Sequence, residues 1–168
     1  MFKDHPVKQY LIYSLVAAVA YFIVVCIFIS YGSFDHIWIL YVGNTLFAIC
    51  ITIFILRYNH GRKENAKIGM MLFAGLVTVV LGVIIVCILI LLTYLVVPHV
   101  FYSVPAGTTA FLKAPPQMEG KTSSFIFNIV MNAIIGNVSA GAFIAILLPY
   151  AAKRDQKAQV SEVNVTDT

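Results

Sequence analysis

At 168 residues the chain has the length of one ordinary domain, yet 61% of it is hydrophobic and only 11% charged, against roughly 45–50% and about 25% in soluble domains. A water-soluble fold would expose that excess as a sticky surface, so the composition points to a bilayer as the solvent. The formal charge of +4 is not a nucleic-acid signal, because the 11 Lys and Arg fall between hydrophobic runs and not on one face interleaved with aromatics.

Lys3 and Lys8 precede the first apolar run. Ala18-Val19-Ala20 has the look of a signal-peptidase site, but the run continues to Ile29. That is longer than the cleavable core of about 7–15 residues, so the first run is read as an uncleaved span. Crossing a hydrocarbon core of about 30 Å takes about 20 apolar helical residues. Four runs qualify, at 10–31, 37–56, 68–97 and 124–152. Each is predicted to be helical, because a segment in lipid has to satisfy its own backbone groups. The third run would be roughly 45 Å long as a helix, so it is expected to tilt or to project into an interface. Pro98 marks its end. Between spans three and four lie Pro105, Pro115 and Pro116 among apolar residues, and this stretch is expected to lie along the outer interface. The polar tail 155–168 is expected to be disordered. The fold class that follows is all-α, a polytopic four-transmembrane-helix bundle over residues 1–154.

Orientation follows from the basic residues. Nine of the 11 Lys and Arg lie before span one, between spans two and three, or after span four; only Lys113 and Lys121 fall on the other side. Basic residues are retained in the cytoplasm, which predicts both termini inside.

No Asp, Glu, Lys or Arg lies within a span. Proton-coupled carriers, pumps and voltage sensors usually hold such a charge, so an autonomous active transporter is disfavoured. The polar groups that do occur are amides, hydroxyls and glycines. Asn128 and Asn132 are four apart in span four, Gly136 and Ala140 continue that face, and Asn137 and Gly141 lie beside it. Asn44, Ala48 and Thr52 form a stripe in span two, and Gly75, Thr78 and Gly82 one in span three. Span one offers Ser14, Ala17, Ala18 and Tyr21. Two readings stay open for Asn44, Thr52, Thr78, Asn128, Asn132 and Asn137. They could line a polar path, or they could join helices, with small residues allowing close approach and asparagines bonding across.

Catalytic and metal chemistry find little footing. Cys26, Cys50 and Cys87 form no Cys-x-x-Cys pair. His36 and His99 could supply two ligands with Asp35 nearby, short of the three or four convergent ligands that a metal needs. No serine sits in a nucleophile elbow. No cofactor and no metal is expected. The basic loop with Arg57, Arg62, Lys63 and Lys67 is read as a topology signal and a contact for anionic lipid or a partner.

The layout resembles an uncharacterised family of four-span bacterial inner-membrane proteins, a domain of unknown function common in Bacteroidetes. The resemblance rests on Asn65-Ala66-Lys67-Ile68-Gly69 opening span three and on Pro115-Pro116-Gln117-Met118-Glu119 in the long loop. It also rests on the stretch from Gly136 to Pro149 closing into Ala151-Ala152-Lys153-Arg154. It covers roughly residues 8–157 and implies a four-span layout and a bacterial plasma membrane, with no catalytic residue carried over. The expected function is therefore non-enzymatic: an assembly, scaffold or accessory subunit that associates with itself or with another membrane protein, and not with nucleic acid. The alternatives are a passive channel or small-solute carrier with an amide-lined path, and a lipid-acting enzyme using His36, His99 and Asp35.

Overall fold

The computed structural model describes residues 7–31, 36–61, 67–97 and 123–166. It contains α1 (Val7–Tyr31), α2 (Trp38–Gly61), α3 (Ile68–Val96), α4 (Ser123–Met131) and α5 (Asn137–Thr166). The last two are joined end to end by a π-helical turn, Asn132–Gly136, into one passage. Four helical passages are thus long and apolar enough to cross a bilayer, and no strand occurs among the described residues. The all-α four-helix bundle expected from the sequence is the fold found.

The first two helices bury a heptad seam. In α1 the buried positions Tyr10, Ser14, Ala17, Tyr21, Val24 and Phe28 alternate steps of four and three. In α2 the positions Leu40, Asn44, Phe47, Ile51, Phe54 and Tyr58 repeat that pattern. A 3.5-residue repeat keeps one seam facing a neighbour in near-parallel packing.

The helices stand in the order α1, α2, α5, α3 around the bundle: α1 touches α2 and α3, while α5 touches α3 and α2. Tyr10 near the start of α1 meets Phe54 and Tyr58 near the end of α2, with ring centroids 5.7 and 6.3 Å apart, so this pair is antiparallel. In α3 and α5, Gly75 faces Ala145 and Val79 faces Gly141, again antiparallel. The Ser14 hydroxyl of α1 donates to the carbonyl of Thr78 in α3 at 3.0 Å. Consecutive helices α2 and α3 therefore sit nearly diagonal, and α3 packs beside α1.

Glycines set the closest approaches. A Cβ on Gly75 would stand 2.9 Å from the Ala145 Cβ and 3.0 Å from the Ile55 Cδ1. The Phe47 ring lies over Gly82, whose Cβ would come within 2.8 Å of Cζ. These are the small-residue contacts that let helices associate when lipid removes the hydrophobic drive. Gly75→Val is expected to force α3 from α5 and to cost roughly 1–3 kcal/mol as overpacking. Thermal unfolding in mild detergent reads this, and an unchanged midpoint would contradict the close approach.

Three boundaries differ from the sequence reading. Helix α2 runs on past position 56 to Gly61, because Tyr58 and Asn59 turn into the bundle and are buried. The fourth passage is interrupted by the π turn. Its final helix continues to Thr166, where a disordered tail is expected from polarity alone; Ala151, Ala152, Lys153, Arg154, Gln156, Lys157 and Ala158 are all good helix formers, so the backbone carries on. Helix α3, at 29 residues, is about 44 Å long, matching the expected excess over the hydrocarbon core. The proline-rich stretch between α3 and α4 lies outside the described residues.

Candidate functional site

The polar residues of the spans converge on the π turn. Asn132 opens that turn, and its Oδ1 accepts two hydrogen bonds from two other helices. The Tyr21 hydroxyl of α1 donates at 3.1 Å, and Nδ2 of Asn44 in α2 donates at 3.2 Å. Tyr21 reaches across the diagonal of the bundle to do so, and its ring rests against Gly43, where a Cβ would fall 2.9 Å from Cδ2. Asn44 in turn lies against the backbone of Gly136, the last residue of the turn: its Cγ and Oδ1 would both be 2.9 Å from a Cβ there. One asparagine acceptor thus ties three helices.

The π turn also explains which face of the fourth passage is buried. Ile129, Ala133, Asn137, Gly141, Ala145 and Pro149 are buried, one at every fourth residue. In an unbroken α-helix such a stripe drifts about 40° per step and would wind about 200° around the helix over that length. The extra residue of the π turn takes back about 100° of the drift. Asn137 and Gly141, which lie beside the predicted face, thereby become its centre. Gly141 meets Val79, whose Cγ1 would be 2.9 Å from a Cβ.

The sequence-predicted residues separate accordingly. Asn44, Asn132 and Asn137 come together at the π turn. Thr78 is buried, but its hydroxyl donates to its own helix at Ala74, 2.8 Å away, while its carbonyl serves Ser14. Thr52 is half-buried and donates back to Ala48 at 3.0 Å. Asn128, one turn before Asn132, is exposed. Sequence reasoning placed Tyr21 in the small-residue stripe of span one without giving it a bonding role. A tyrosine at a seam position, amid alanines, is the signal that was available.

No family model, curated protein or solved structure matches this chain. The reading of the site rests on its own geometry.

Among the described residues no group of three His, Cys, Asp or Glu is placed to hold a metal ion. Cys26, Cys50 and Cys87 are free thiols. His36 stacks edge-on against Tyr31 with centroids 4.8 Å apart; Asp35 and His99, its partners in the lipid-enzyme reading, lie outside the described residues. Arg57 and Lys67 are exposed at the end of the bundle that carries the start of α1, and Arg62 and Lys63 lie outside the described residues.

Proposed function

We propose that this chain is a non-enzymatic membrane protein that works by association, as an assembly or accessory subunit built around a closed four-helix core. The observation that carries this reading is the unequal placement of polar groups in the fourth passage. Asn132 and Asn137 turn inward, whereas Asn128 and Ser139 are exposed on the outer face, between apolar residues such as Ile135 and Phe143. In the most apolar stretch of each span, 28% of the fourth is buried inside the bundle, against 44%, 50% and 39% for the first three. The Ser139 hydroxyl among apolar side chains on the least enclosed helix suits a second protein surface better than lipid.

The interior argues against the channel reading. A channel or carrier would need a path past Tyr21, Phe28, Phe47 and Phe54, all less than 2% exposed. We place the protein in a plasma membrane, the inner membrane of a bacterium, with both termini cytoplasmic and Arg57, Arg62, Lys63 and Lys67 at the anionic headgroups.

Fluorescence transfer between labelled copies, reconstituted at falling protein-to-lipid ratios, tests self-association, and cross-linking in native membranes tests a hetero-partner. Transfer that survives dilution, and weakens when Asn128→Leu and Ser139→Ala are combined, is the expected result. A monomer at every ratio, with no cross-linked partner, would refute the proposal. So would a selective solute flux in liposomes that is lost in Asn132→Leu.

A further inference from the structure

Two asparagines beside the π turn hold polar atoms that no protein group meets. Asn137 is wholly buried, and neither its Nδ2 nor its Oδ1 has a hydrogen-bond partner. Asn44 is 7% exposed; its Nδ2 is committed to Asn132, while its Oδ1 has no partner. Gly136 stands next to each of them, in space for Asn44 and in the chain for Asn137. The Asn44 carboxamide packs on that glycine, and Asn137 is the next residue along the chain. Buried amides left in this condition are strongly disfavoured, and natural structures relieve them with a partner.

The donor and acceptor inventory selects the partner. Asn44 and Asn137 each present a carboxamide oxygen that accepts, and Asn137 also presents an NH2 that donates. A metal cation would meet the two oxygens and be repelled by the NH2. An anion would meet the NH2 and be repelled by the oxygens, and no described Lys, Arg, Asp or Glu stands among these residues to balance either charge. A water molecule donates two hydrogens and accepts through its oxygen, so one neutral guest satisfies both kinds of group, and buried waters in proteins make about three such bonds.

We infer that the bundle holds an ordered water between the side chains of Asn44 and Asn137, a hydration site within the membrane-spanning region at the end of the π turn. It satisfies the amides that the three-helix tie at Asn132 leaves over. The site belongs to the single chain and does not depend on association.

Water-edited solid-state NMR of the isotope-labelled protein in lipid bilayers tests this. Magnetisation starts on water protons and builds up on nearby carbons. The carboxamide carbons of Asn44 and Asn137 are expected to build up several-fold faster than the ring carbons of Phe47, which is buried and apolar. Build-up at the Phe47 rate for both asparagines would overturn the inference. In Asn137→Leu the Asn44 signal is expected to slow towards the Phe47 rate, and an Asn44 signal that stays fast would overturn the shared site. Should that variant not fold, the wild-type comparison decides alone.

Discussion

Gly136→Val is expected to lower the stability of the bundle by about 3 kcal/mol or more, the largest loss among single substitutions at its glycines. Two costs add. The new side chain enters space already held by the Asn44 carboxamide, an overpacking of roughly 1–3 kcal/mol. The displaced Asn44 also loses its bond to Asn132 and keeps a buried donor without an acceptor, about 1 kcal/mol more. Gly69 supplies the control, because a Cβ there meets nothing within 4 Å. Unfolding in mild detergent, followed by the reactivity of the half-buried thiols Cys50 and Cys87, reads both variants on one scale. Gly69→Val should behave as wild type. Equal stability of the two variants would mean that Asn44 does not rest on the turn.

The second large effect is expected at Asn132→Leu. Leucine keeps the branch of asparagine at Cγ but can neither accept nor donate a hydrogen bond, so the expected cost is that of the lost bonds. Two donors from two helices, the Tyr21 hydroxyl and the Asn44 amide, lose the acceptor they share. Interhelical hydrogen bonds in membranes average about 0.6 kcal/mol and reach about 1.7 kcal/mol, which gives a loss of roughly 2 kcal/mol for the pair. A double-mutant cycle with Tyr21→Phe isolates one of them. The coupling energy is expected within the same range of about 0.6–1.7 kcal/mol. Strict additivity would show that the tyrosine and the asparagine do not act through each other. Phenylalanine keeps the ring over Gly43, so the cycle removes the bond and leaves the packing.

How far the sequence revealed this arrangement depends on the range of the cause. Span number and extent are local: each apolar run has to close its own hydrogen bonds, so Ile68–Val96 falls within a residue of its expected limits. The convergence of Asn44 with Asn132 was also within reach, since each lies on a stripe that has nowhere else to turn in lipid. The π turn was not. It follows no residue signature in Asn-Ala-Ile-Ile-Gly; it answers the need to keep Gly141 and Ala145 facing Val79 and Gly75 on another helix. Reading span four with an unbroken 3.6-residue period therefore put Gly136 and Ala140, not Asn137 and Gly141, at the centre of the face. The order of helices around the bundle was equally hidden. That α3 stands beside α1 is decided by fits such as Ser14 against the Thr78 carbonyl, 64 residues apart in the chain. The extension of α5 to Thr166 shows the reverse error, since a polar composition was weighed there above the helix propensity of alanine, lysine and glutamine.

The diagonal tie from Tyr21 to Asn132 has a consequence for biosynthesis. The two residues are 111 positions apart, and Asn44 is 88 positions from the same acceptor. At a synthesis rate of about 5–20 residues per second, the donors emerge some 4–22 seconds before their acceptor exists. From the end of α2 onward, the first hairpin is complete as a pair of membrane spans and incomplete as a fold. Insertion and folding are thus separate events in this chain, and the fourth passage locks the first two.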